Sequence, residues 1–129
     1  MPNDLICSIE QLTFRAIPNR AGKYPAKKFI QDLDHVATRD FRVAARILAT
    51  SLATGRPPSG RSCRVAGSRE HLWELRITPP GRTGPHQRLL FIRERDTIYV
   101  ARGLTKRERL TRHEIDLADN AVRGWRERR

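Results

Sequence analysis

Residues 72–104, LWELRITPPGRTGPHQRLLFIRERDTIYVARGL, decide the fold. Three runs rich in β-branched, aromatic and other apolar residues follow one another there: Leu72–Thr78, Gln87–Arg93 and Thr97–Leu104. The connections between them are short, which predicts an antiparallel meander. In the first run Trp73, Leu75 and Ile77 alternate with Glu74 and Arg76, so one face is dry and the other wet. The middle run carries Leu89, Leu90, Phe91 and Ile92 without interruption and reads as buried on both faces.

Upstream, Ile6–Ile17 (ICSIEQLTFRAI) ends at Pro18 and reads as a first strand, with a phase slip between Ile9 and Leu12 that fits a bulge. Pro25 suits the first turn of a helix in which Phe29, Ile30, Leu33 and Val36 recur at helical spacing to about Ala37. A second helix, capped by Thr38 or Asp40, lines up Phe41, Ala45, Leu48 and Leu52 and stops at Gly55. Residues 55–70, GRPPSGRSCRVAGSRE, read as a loop with a short extended piece around Cys63–Val65.

Downstream, Thr111 and Glu114 stand at capping-box spacing ahead of Ile115, Ala118, Val122 and Trp125. That pattern predicts an amphipathic helix from about Arg112 to Trp125, with the Arg-rich end RGWRERR fraying. The expected class is α+β, in the order β-α-α-β-β-β-α. Helices are expected to cover one face of an antiparallel sheet in a single domain over residues 1–129.

At 129 residues the chain has room for one modest core. No run approaches the roughly 20 apolar residues of a membrane span, and no basic segment with an apolar stretch opens the chain. A cytoplasmic protein is the expectation. Cys7 and Cys63 are too few for a disulfide framework and lack metal-ligand spacing, so they read as ordinary thiols.

The formal charge is +12, and residues 56–129 carry most of it, with 18 basic and 9 acidic residues. A field of this strength attracts phosphate backbones in a salt-dependent way, whether or not chemistry follows. There is no Gly-rich phosphate loop, no HExxH or Cys/His cluster and no Ser-His-Asp signature. Neither a metal nor a small-molecule cofactor is expected.

The run from Leu72 to Asp116 resembles the RelE/ParE toxin superfamily, particularly its HigB-like, phage-derived branch. The resemblance lies in LWELRI, then QRLLFI, then GLTKRERLTRHEID, in that order and at these separations. It implies a RelE-like (microbial ribonuclease-like) fold with an N-terminal helical hairpin and a C-terminal helix. It further implies the toxin of a type II toxin–antitoxin pair: a metal-independent endoribonuclease that cuts mRNA, on the ribosome in many members, and inhibits translation. The implied partners are mRNA, the ribosome and a helix-turn-helix antitoxin protein.

Cutting RNA without a metal requires a base for the 2′-hydroxyl, an acid for the leaving oxygen and cations for the developing charge. Arg76 and Arg88 lie on neighbouring strands, where both guanidinium groups can reach one phosphate. The resemblance maps them onto positions that grip the scissile phosphate, and maps Lys106 and Arg107 onto a basic pair after the last strand. His113 opens the last helix beside Arg107, Arg109 and Arg112, and imidazole changes charge near neutral pH, as a general base should. In RelE itself the matching position is a tyrosine. Arg82, His86, Arg109 and Arg112 complete the expected RNA-binding set, and Trp73 and Tyr99 can stack on a base or fill the core.

Two departures from the family pattern stand out. Glu74 replaces a lysine of RelE, although Glu is normal for the HigB-like branch, and TPPGRTGPH, residues 78–86, looks like an insertion beside the site. A bridge from Arg76 to Glu74 is the purely structural use of that pair. Two other functions compete with the nuclease: a ParE-like inhibitor of DNA gyrase, and a non-catalytic basic module that binds nucleic acid through charge alone.

Overall fold

The computed structural model describes residues 3–55 and 61–129; the part of the expected loop at residues 56–60 lies outside them. The elements run β1 (Leu5–Ile9), β2 (Leu12–Ala16), α1 (Pro25–Gln31), α2 (His35–Ala53), β3 (Ser62–Arg64), β4 (Trp73–Arg76), β5 (His86–Glu94), β6 (Thr97–Lys106) and α3 (Arg112–Arg128). They form one six-stranded sheet in the order β1-β2-β6-β5-β4-β3. The chain is therefore α+β, and the antiparallel meander is β4-β5-β6.

Strand β5 explains the layering. Leu89 and Phe91 point into one core with Leu75, Ile98, Val100 and the inner residues of α1 and α2. Leu90 and Ile92 point into a second core with Leu72, Leu104, Ala118 and Val122. The unbroken apolar run thus does bury both faces. It also corrects the expectation that helices cover one face alone: α1 and α2 pack on one side and α3 on the other.

The expected first strand is two strands. Ile9 pairs with Leu12 across a two-residue turn, with Glu10 at φ 54°, so the phase slip is a hairpin turn rather than a bulge. The turn is tied to α2 by Gln11, whose Nε2 donates to the Ala49 carbonyl at 2.9 Å. The sheet is mixed, not purely antiparallel, because β2 runs parallel to β6. The intervening helices and meander supply the long return that a parallel pair needs.

The helical boundary also moves. Asp34 accepts from the Ala37 N–H at 2.8 Å and caps α2, so the break falls four residues before Thr38. Asp40 is engaged elsewhere, with Arg82 at 2.6 Å. The capping box at Thr111 and Glu114 is present as expected. The Arg-rich end does not fray: α3 continues to Arg128, because Trp125 packs on Tyr99 with ring centroids 4.6 Å apart and Arg129 stacks over Trp125 at 4.3 Å.

Residues 66–72 are lashed to α3 by one carboxylate. Asp119, 2% exposed, accepts from Ser68 Oγ at 2.7 Å and from the backbone N–H groups of Arg69 at 2.9 Å and Glu70 at 3.2 Å. Those bonds satisfy a buried charge that would otherwise be costly. They also fix the path by which the chain enters β4.

Candidate functional site

Period-two alternation sends Glu74, Arg76 and Arg88 to the α3 side of the sheet. Arg76 and Arg88 are direct cross-strand partners. Like charges placed so are destabilising unless something lies between them. Glu74 does: Oε1 accepts from Arg76 Nε at 3.1 Å, and Oε2 stands 3.5 Å from Arg88 Nη1. The purely structural bridge anticipated for Arg76 is therefore real, and it extends to Arg88.

The three side chains are unequally exposed. Glu74 is 3% exposed and Arg88 8%, whereas the Arg76 side chain is half in solvent. Arg88 Nε is buried without a hydrogen-bond partner among the described residues. The clamp therefore has a buried inner guanidinium and a half-exposed outer one, each with nitrogens that Glu74 does not occupy.

These side chains line a cleft of about 280 Å³, closed on the other side by Arg109, Leu110 and Ile115. Cys63 on β3 sits opposite Glu74 in the register, its Sγ 4.0 Å from Oε1. Burial and then the Glu74 charge push the Cys63 thiol up, outweighing Arg76 and Arg88. A thiol held protonated is a poor nucleophile, so its placement fits the reading as an ordinary thiol.

On the same face of β5, two residues from Arg88, stands His86, paired in register with Lys106. His86 Nε2 lies 2.8 Å from the Arg82 carbonyl. A carbonyl only accepts, so that nitrogen bears the proton and Nδ1 is the one left to accept in the neutral ring. Lys106 is committed to Glu114 at 2.7 Å. Burial raises the Glu114 carboxyl, but hydrogen bonds from Lys106 and from the Thr111 backbone and hydroxyl prevail and hold it below the usual glutamate range.

Of the nine expected site residues, the structure gathers Arg76, Arg88 and Arg109 around one cleft, with His86 and Lys106 further along the same sheet face. Arg82 is paired with Asp40 of α2. Arg112 bridges Asp116 and the Gly67 carbonyl, holding the loop before β4. Arg107 and His113 are exposed and line no part of the cleft.

Glu74 was legible in the sequence as a wet-face residue, as a departure from RelE and as a possible bridge to Arg76, but not as a partner of Arg88. Its spacing of two from Arg76 already placed both on one face, but its hold on Arg88 depends on the β4–β5 register. No three His, Cys, Asp or Glu side chains among the described residues are grouped as a metal site would require, and none of their helices is long and apolar enough to cross a membrane. No protein-family model, curated protein or solved structure matches the chain.

Proposed function

We propose that this chain is a RelE/HigB-like toxin, a cytoplasmic endoribonuclease that cuts mRNA, inhibits translation and is held in check by a helix-turn-helix antitoxin. The observation that carries the reading is the paired Arg76 and Arg88 clamp on Glu74 at the wall of a basic, solvent-open cleft. Support for the fold assignment comes from the element order: without the extra hairpin strand β1 and the edge strand β3, it runs β-α-α-β-β-β-α.

In this reading Arg76, whose side chain is half in solvent, grips the scissile phosphate, and the largely buried Arg88 adds its charge from behind, across Glu74. They stabilise the charge that develops as the 2′-oxygen attacks phosphorus and the bond to the 5′-oxygen breaks, the departing oxygen taking its proton from solvent in the open cleft. Arg109 holds the flanking backbone. His86 is the better placed base, because it shares the clamp's sheet face and its tautomer leaves Nδ1 to accept the 2′-hydroxyl proton. His113 serves as its competitor in the test.

The test is induced expression of the wild type beside Arg88→Ala, His86→Ala and His113→Ala, following growth and mapping new 5′ ends in cellular RNA. Growth arrest with discrete cuts, lost in Arg88→Ala and His86→Ala, is the expected result. Arrest without cuts points to gyrase or another target. Absence of both points to a basic module that only binds.

A further inference from the structure

Around the edge strand β3 the surface carries three adjoining depressions, and Arg64 lines all of them. The first is the Arg76–Arg88 cleft. Through Arg64, Val65 and Ala66 it meets a second of about 440 Å³, which in turn shares Arg64, His71 and Trp73 with a third. The three depressions therefore adjoin one another along the β3 edge, from the arginine clamp to Trp73.

The third depression differs in chemistry from the first. It measures about 290 Å³ and is lined by Leu48, Leu52, Trp73 and Phe91, with His71 and Arg93 among its polar groups. The acid there, Glu70, is already bound to Arg126 at 3.1 Å. That volume lies at the small end of the roughly 300–1,000 Å³ typical of small-molecule sites, enough for one planar ring system.

Two features distinguish this end of the surface. His71 is a non-glycine residue at φ 61°, a strained backbone of the kind that persists where the surroundings enforce it, and it is exposed at the junction of the second and third depressions. Arg64 has its guanidinium 5.3 Å above the Trp73 ring and makes no ion pair among the described residues. An arginine on an aromatic face, lining both the arginine cleft and an apolar slot, suits a single strand that lays phosphate in the one and a base in the other.

We infer that the Trp73 pocket is a nucleobase subsite, seating an unpaired base of the RNA strand whose phosphate lies in the Arg76–Arg88 cleft, with Arg64 bridging the two. The inference rests on the RNA-cutting reading of the cleft and adds the place where sequence is read. Apolar walls and stacking on Trp73 select for an exposed, unstacked base and exclude a paired one.

The probe is a short single-stranded 2′-O-methyl RNA, uncleavable because the attacking oxygen is blocked, beside the same backbone without bases. Binding is followed by anisotropy and by the two tryptophan indole N–H resonances of the wild-type protein, assigned through Trp125→Phe. The intact strand should shift the Trp73 resonance, and the abasic strand should bind about tenfold more weakly without shifting it. Trp73→Leu should lower affinity for the intact strand to that of the abasic one, whereas Arg88→Ala should weaken both.

Equal binding of the two strands with an unmoved Trp73 resonance overturns the base subsite and leaves the cleft reading standing. A shift of Trp73 by heparin equal to that by RNA overturns it as well, since heparin has charge and no bases. If neither strand binds at low salt, both readings are overturned together.

Discussion

Arg88 lies almost wholly inside the protein beside Glu74, with Nη1 3.5 Å from Oε2 and Nε without a partner among the described residues. A buried cation held by one carboxylate is stable only while that carboxylate is there. Replacing Glu74 by Ala should therefore destabilise the fold by about 3–5 kcal/mol, and the paired apolar change Glu74→Met with Arg88→Met should cost less than Glu74→Ala alone. Denaturant midpoints of the three variants check this. A double variant weaker than the single would show that the pair itself holds the sheet together.

Arg76 tests the opposite case, since half of its side chain is in water. An exposed ion pair contributes about 0–1 kcal/mol, so Arg76→Ala should barely change stability. Its loss should instead show in RNA binding. The slope of log affinity against log salt for single-stranded RNA should flatten by about 0.7, the share of one phosphate contact. Anisotropy titrations at several salt concentrations measure it.

Gly103 on β6 faces α1 so closely that an added Cβ would lie 2.2 Å from Phe29 Cδ1. The ring belongs to the α1–α2 core and cannot yield cheaply. Gly103→Ala should cost about 1–3 kcal/mol by overpacking, and Phe29→Leu in the same chain should recover part of it. Thermal melts of the single and double variants decide.

Glu114 joins the capping box of α3 to Lys106, and its folded pKa lies below the ordinary value. A depressed carboxyl contributes stability that is full above the unfolded pKa and is lost as pH falls through the folded one. Glu114→Gln should therefore be less stable than wild type at neutral pH, with the gap closing in acid. Melting curves at both pH values check the sign. Thr111→Ala, which removes the cap itself, should cost about 1 kcal/mol.

The Tyr99–Trp125 contact shows how local reading and packing divide the work. Spacing placed Trp125 on the inner face of α3, yet composition alone made RGWRERR look like a frayed end. The last turn is held from outside the helix, by Tyr99 on β6, by Glu70 on Arg126 and by Glu94 on Arg129. The N-terminal strand failed for a related reason. A slip of phase is the same signal for a bulge and for a tight turn, and the pairing of Ile9 with Leu12 separates the two.

By itself the sequence determined which residues form strands β4 to β6, where α3 begins and that β5 is buried on both faces. Each of these follows from alternation, periodicity or a cap within a few residues. Tertiary structure alone decided that the sheet is mixed, that helices cover both of its faces, that one glutamate joins Arg76 to Arg88, and that Arg82, Lys106 and Arg112 are taken up by carboxylates. A charged side chain announces its sign in the sequence, but its partner is set by register and packing between segments far apart in the chain.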